Sequence, residues 1–246
     1  MGKVISINRK AVTAAGLALS MTLTTSALAS EWTFPPSLTY SMYKIKPDNG
    51  NKLESSLYSL NLEFELEDGM GNFHRVWGSG TIHDKEKSKL ETNLSKNEAT
   101  YRIGKYFYPQ AEPTDFSMWV GLGYREIKIA NSMKNKTKDK VIHIPFGFEY
   151  ATPLDNRSSW PTGFSVQRNH SHFLVMGAEL NLLVHGEGND ERWKENDGLG
   201  YSVWFGYDYR FKDNRILTTS LSYEALKIEK IDKSSALSLT IGLRFL

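Results

Sequence analysis

The end of the chain alternates without a break. Leu237, Leu239, Ile241, Leu243 and Phe245 share one face, and Ser238, Thr240, Gly242 and Arg244 share the other. Period two is the mark of a strand with one apolar side. The pattern recurs upstream. Leu217, Thr219, Leu221, Tyr223 and Ala225 oppose Thr218, Ser220, Ser222 and Glu224. Residues Leu199 to Tyr209 at odd positions oppose Gly200, Ser202, Trp204, Gly206, Asp208 and Arg210. Leu174, Met176, Ala178, Leu180 and Leu182 oppose Val175, Gly177, Glu179 and Asn181. Ile142, Ile144, Phe146, Phe148 and Tyr150 oppose His143, Pro145, Gly147 and Glu149. Met118, Val120, Leu122 and Tyr124 oppose Trp119, Gly121, Gly123 and Arg125, and Tyr101 and Ile103 oppose Arg102 and Gly104. Near the start, Tyr58, Leu60, Leu62, Phe64 and Leu66 oppose Ser59, Asn61, Glu63 and Glu65, and Leu38, Tyr40 and Met42 oppose Thr39 and Ser41.

These segments predict an all-β chain. A tenth strand, over residues 73–83, alternates more weakly and completes an even count. A closed antiparallel transmembrane β-barrel of about ten strands follows, with eight or twelve as the neighbouring solutions. Turn residues punctuate the strands at 68–72, 109–115 and 212–214. Residues 84–97, 131–140 and 186–197 read as longer polar loops, and 152–170 is long on the side where short turns are expected.

The polar face carries Glu63, Glu65, Arg102, Arg125, Glu149, Glu179, Asp208, Arg210, Glu224 and Arg244, interleaved with Gly and Trp. A solvated exterior is Lys-rich and even in size. This face is uneven, and Lys concentrates in the loops, so the barrel reads as apolar outside and polar inside. Period two then turns Arg102, Arg125, Arg210 and Arg244 into the lumen, where Glu149, Glu179, Asp208 and Glu224 are their expected partners. A ten-strand lumen is narrow, so unpaired charges there are costly and a plugged interior is expected. Tyr106, Tyr108, Tyr150, Tyr207, Tyr209 and Phe245 cluster where strands of one direction end. They read as the aromatic girdle of one membrane boundary.

Composition adds an address. Lys3, Arg9 and Lys10 precede the apolar run 11–23, and Ala27-Leu28-Ala29 is an A-x-A cleavage site. Residues 1–29 therefore read as a signal peptide, and 30–246 as the barrel. The signal holds three of the 30 basic residues and none of the 28 acidic ones, so the mature chain has a formal charge of −1. That balance gives no reason to expect a nucleic-acid partner. With no Cys there is neither a disulfide framework nor thiolate chemistry. Mean hydropathy is −0.43, which suits a barrel because only alternate residues meet lipid.

The alternating end with Phe245 near the terminus resembles the C-terminal signature of outer-membrane proteins. That resemblance implies the barrel-assembly machinery as a partner during biogenesis. Residues 98–246 resemble the "outer membrane beta-barrel protein" families. The segments that carry this are Tyr101-Arg102-Ile103-Gly104, 119–125, 144–150, Gly177-Ala178-Glu179-Leu180 and Gly198-Leu199-Gly200-Tyr201. The resemblance implies architecture and no particular reaction.

Candidate chemistry is sparse. His170-Ser171-His172, with Glu179 downstream, is the best hydrolase-like cluster. Neighbouring residues on a strand diverge, however, and a nucleophile needs its base within hydrogen-bond reach. Neither G-x-S-x-G nor H-E-x-x-H occurs. No catalytic residue, metal or cofactor is expected, and a barrel enzyme acting on lipid or peptide and a small-solute channel are the alternatives. Lys85, Lys87 and Lys89, and Lys134, Lys136, Lys138 and Lys140, form basic stretches that suit lipopolysaccharide phosphates if extracellular. The expected partners are thus outer-membrane lipid and lipopolysaccharide, with a monomeric barrel and the bacterial outer membrane as its location. On this reading the protein fractionates with outer membranes and migrates faster on gels unless heated. A detergent-independent soluble periplasmic protein contradicts it.

Overall fold

The computed structural model describes residues 31–33, 36–47, 53–68, 70–86, 92–107, 115–131, 136–154, 172–188, 191–193, 198–211, 215–228 and 232–245. Residues 1–29, read as a signal, lie outside the described residues, as do Tyr108, His170 and Ser171.

Ten long strands close on themselves. In chain order the elements are β1 (Glu31–Thr33), β2 (Pro36–Pro47), β3 (Leu53–Glu67), β4 (Asn72–Glu86), β5 (Thr92–Phe107), β6 (Asp115–Asn131), β7 (Lys136–Pro153), β8 (His172–Gly188), β9 (Glu191–Trp193), β10 (Gly198–Arg210), β11 (Arg215–Ile228) and β12 (Asp232–Phe245). Every pairing is between antiparallel neighbours, and β12 pairs β2 from Asp232↔Pro47 to Gly242↔Ser37, which seals the barrel. Two short pieces extend this frame. β1 continues the line of β2 along β3, and β9 folds back on the end of β8.

The weak tenth strand of the sequence is β4, paired along its length with β3 and β5. The polar stretches read as loops are largely strand. β5 begins at Thr92, β6 runs to Asn131 and β7 starts at Lys136. Ladder bonds satisfy the backbone whatever the side chains, so pairing propagates past the point where amphipathic alternation stops. The strands of β3 to β8 hold 15 to 18 residues, more than the roughly ten that cross a bilayer. The long segment after β7 is closed at its base, where the Leu154 N–H donates to the His172 carbonyl at 2.9 Å.

Most of the long strands carry one exposed, apolar face. Leu38 is 56% exposed, Leu122 58% and Phe205 56%, and Leu60, Val120, Phe146, Leu180, Leu221 and Leu239 join them in a continuous belt. A water-soluble barrel hides such a belt, whereas a lipid-embedded one requires it. The end at which β2 begins and β12 stops is the one expected to face the periplasm in a single-chain barrel. There an Asx turn joins β3 to β4. Asp68 Oδ1 accepts from the N–H groups of Met70 (2.9 Å) and Asn72 (2.8 Å), and Gly71 takes φ 81°, a conformation costly for any residue with a Cβ. Donation from the Asn72 side chain, above all, holds the Asp68 carboxyl below its ordinary range.

The outer ring of aromatics at this end is built from Phe107, Phe116 and Phe148 in sequence, and from His172, Tyr207, Tyr209 and Phe211. Tyr207 and Tyr209 stand on the outer face, and Tyr150 is half-buried on the same face. Phe245 lies in β12, but its side chain lies outside the described residues. Tyr106 is the correction. It shares parity with Arg102 and Gly104, so it points into the lumen, and Phe107 takes its place outside.

The glycines of the inner face make room for rings. The Trp119 indole lies across Gly147, and the Trp204 indole across Gly177. A Cβ at Gly147 sits 2.6 Å from Trp119 Cζ2 and 2.8 Å from the Ala178 carbonyl oxygen. Across from Gly121 and Leu122 the β6–β7 pairing lapses at Ile144 and Pro145, since Pro145 has no N–H to give. Gly147→Val should therefore destabilise the barrel by about 1–3 kcal/mol through overpacking. Urea unfolding in micelles measures this, and an unchanged midpoint contradicts the packing described.

Candidate functional site

The inward faces enclose a cavity of about 940 Å³. It runs from Tyr43, Lys96 and Arg125 at one end to Ser37, Asp115 and Arg215 near the periplasmic strand ends. Charged groups in three tiers cross it.

The periplasmic tier is centred on Arg75. Its Nε lies 2.5 Å from Glu65 Oε2 and 3.6 Å from Glu63 Oε1. Its Nη2 donates to the Tyr106 hydroxyl at 2.9 Å, and that hydroxyl donates to Glu65 Oε1 at 3.0 Å. Arg244 Nη2 approaches Glu63 Oε1 at 3.9 Å.

The middle tier is aromatic. Trp119 and Trp204 stack with centroids 6.0 Å apart. Trp119 Nε1 donates to Glu179 Oε2 at 2.9 Å, which also takes Arg102 Nη2 at 2.8 Å. Trp204 Nε1 donates to Glu149 Oε2 at 3.0 Å. The Arg102 guanidinium lies over the Trp119 and Trp77 rings, at 5.5 and 6.0 Å from their centroids. Arg210 sits 4.1 Å above the Phe173 ring, and Asp208 is hydrogen-bonded to Thr218.

The third tier is a closed ring of alternating charge. Lys96 Nζ contacts Glu98 Oε2 and Glu224 Oε2, each at 2.9 Å. Arg125 Nη2 donates to Glu98 Oε1 at 2.9 Å, and its Nη1 reaches Glu224 Oε1 to complete the ring. His143 Nε2 stands 3.8 Å from Glu98 Oε1, its ring lying over Gly123. Glu98 and Arg125 belong to adjacent strands, but Glu224 is on β11, diametrically opposite β5 in the closed order. The ring therefore spans the lumen.

Above the ring the faces of the sheet exchange character. On β2 the outward series Leu38, Tyr40, Met42 gives way to Lys44 and Lys46, while the inward series Ser37, Thr39, Ser41 gives way to Tyr43 and Ile45. Tyr43, Ile45, Leu57, Leu94 and Ala236 are buried together there, with Ile127 and Ile129 packed against them. Val141, Leu183 and Leu226 form a second apolar cluster. Outside water replaces outside lipid at this height, so apolar groups gain by turning inward.

Of the eight expected lumen ions, the structure brings Arg102 to Glu179 and Arg125 to Glu224. It pairs the others differently. Arg244 meets Glu63, Glu149 meets Trp204, Asp208 meets Thr218 and Arg210 stacks on Phe173. Long side chains in a narrow closed barrel meet across it as well as between neighbours, and register and barrel order choose the partners. Arg75, Lys96, Glu98 and Tyr106 are lumen residues that the expected polar face lacks, whereas Glu65, Trp119 and Trp204 stand on that face by parity. Lys96 lies in the stretch 84–97 that reads as a loop, and Glu98 lies just past it, before the alternation that begins at Tyr101. Parity alone would have placed Tyr106.

His172, the described member of the His170-Ser171-His172 cluster, faces outward, with Nδ1 2.5 Å from the Tyr207 hydroxyl. Lys138 lies on β7, where it and Lys128 clasp Glu126 at 2.8 and 2.6 Å. Among the described residues no group of three or more His, Cys, Asp or Glu is placed to hold a metal ion.

No family model and no curated protein sequence matches this chain. Solved structures do. The outer membrane protease OmpT of Escherichia coli superposes with a TM-score of 0.63 at 11% identity, over 90% of this chain and 99% of that one. The translocator domain of the autotransporter NalP from Neisseria meningitidis gives 0.49 at 9% identity, over 96% and 97%. Neisserial surface protein A gives 0.43 at 11%, over 88% and 98%. At such identities the likeness speaks for the fold. The chain has the fold of the bacterial outer-membrane β-barrels, and its apolar belt suits it to that membrane.

Proposed function

We propose that the protein is a closed, non-catalytic outer-membrane barrel whose lumen is plugged and whose contacts with the envelope are made from its rim and outer surface. The observation that carries this reading is the cross-lumen ring of Lys96, Glu98, Arg125 and Glu224 lying beneath the apolar cluster of Tyr43, Ile45, Leu57 and Leu94. An ion moving through the lumen has to displace paired, desolvated charges and then pass Ile45, Leu57 and Leu94, whose side chains offer water no hydrogen bond. A hydrolase needs a nucleophile, a base and a group orienting the base. His172 is instead held by Tyr207 on the outer face. The natural surroundings of such a barrel are lipid and lipopolysaccharide, with the barrel-assembly machinery acting on it once, during insertion, as a monomer.

In planar bilayers the wild-type protein should show negligible steady conductance. Arg125→Ala should raise the leak, because Glu98 and Glu224 then face each other with only Lys96 between them. Adding Leu57→Ser should raise it further. Large, stable single-channel steps from the wild type overturn the closed lumen and favour a channel.

The ring also makes a stability prediction. Glu98 and Arg125 have side chains only 6% and 7% exposed. Removing one partner of a buried ion pair costs about 3–5 kcal/mol, since it strands the other charge. Arg125→Ala should lose about that much in chemical unfolding, and Arg125→Lys distinctly less. Equal losses from the two variants contradict the ion-pair account.

A further inference from the structure

At the rim opposite the chain termini, β11, β12 and β2 lie side by side. The register sets Lys227 directly opposite Lys233, and Lys233 directly opposite Lys46. All three point outward. On β12 the outward residues are Leu237, Leu239 and Ile241, on β11 Leu221 and Tyr223, and on β2 Leu38 and Met42; period two carries each series to its lysine. All three lysines are exposed, as is Lys44 one step nearer the membrane. Adjacent strands are about 4.8 Å apart, so the row is roughly 10 Å long.

Like charges directly opposite each other in a sheet repel. Elsewhere on this rim the repulsion is answered, since Lys128 and Lys138 share Glu126. None of the ion pairs among the described residues answers it for Lys46, Lys227 or Lys233. A row of uncompensated cations costs stability unless an anion completes it. The surface beneath the row states what kind of anion. Tyr223, Leu237 and Met42 stand in the same three strands, about 40% exposed, as part of the apolar belt. The complementary ligand carries its negative charge at the head of acyl chains.

We infer that Lys46, Lys227 and Lys233 form a binding site for the phosphate groups of an outer-leaflet glycolipid, lipopolysaccharide, with its acyl chains lying along the β11–β12–β2 face. The site rests on the reading above only in taking this rim as extracellular; it needs neither a closed lumen nor the absence of catalysis. Each lysine–phosphate contact is charge-assisted and weakened by salt.

The test measures lipopolysaccharide binding to the full barrel in detergent micelles. The triple variant K46Q/K227Q/K233Q should bind roughly tenfold or more weakly than wild type. K128Q/K138Q should bind as wild type does. Dephosphorylated lipopolysaccharide should bind wild type as weakly as the intact lipid binds the triple variant. Undiminished binding by the triple variant overturns the site. Displacement of the lipid by inorganic phosphate at equal concentration overturns the lipid assignment and leaves a simple anion site. Folding provides an independent arm. Without lipid, the triple variant should be at least as stable as wild type, because it removes repulsion. A clear loss of stability would mean that the lysines serve the fold and not a ligand. Conductance should be the same in wild type and triple variant, so a failure here is distinct from a failure of the closed lumen.

Discussion

Hydrocarbon offers no partner for a backbone N–H or C=O, and every strand of this protein answers to that fact. The pairing of β12 with β2 removes the last open edge, and with it the last unpaired row of backbone groups in the membrane. Closure creates an inside. Period two then sends every second side chain there and every other one to lipid. Where one residue breaks the rule, the break is local. Pro145 withholds an N–H, and the ladder on either side of it resumes at Phe146 and His143.

Closure also explains the lumen chemistry. Ten strands leave a narrow interior in which long side chains from opposite walls touch. Charges buried there must be matched, and the matching runs across the barrel as well as along it. Arg125 joins its neighbour Glu98 to the far wall through Glu224, and Lys96 makes the return connection. The ring sits at the height where the sheet changes its outer surroundings. Below it lipid is outside and polar groups are inside. Above it water is outside, and Tyr43, Ile45 and Leu57 turn inward over the ring. The apolar cover strengthens the ion pairs beneath it by keeping water away.

How much of this was legible in the sequence depends on what range of information each feature needs. The faces of the strands follow from parity, and the outward Leu38, Leu60 and Leu239 and the inward Arg102, Arg125 and Glu224 stand where alternation puts them. Parity places Tyr106 inside as well, and only its position in the aromatic run 106–108 points outward. The cover was not seen because Tyr43 and Ile45 lie beyond the point where β2 stops alternating in the membrane sense. The ring and the row of lysines were out of reach for a different reason. Which residue faces Glu98, or Lys233, depends on register and on barrel order, and these are properties of the closed sheet that no local pattern encodes.

The central claim is that the lumen is polar, enclosed and sealed from the outside. The chain has no Cys, so a single introduced thiol reports its own position without competition. Ser202→Cys lies in the lumen at the height of the ring, directly opposite Glu224 on β11, and Lys46→Cys stands exposed on the rim above it. Intact cells would be treated with a charged maleimide too large for general porins. The account predicts rapid labelling of Lys46→Cys and none of Ser202→Cys. Labelling of Ser202→Cys at a comparable rate would contradict it, because the lumen would then be open to the outside.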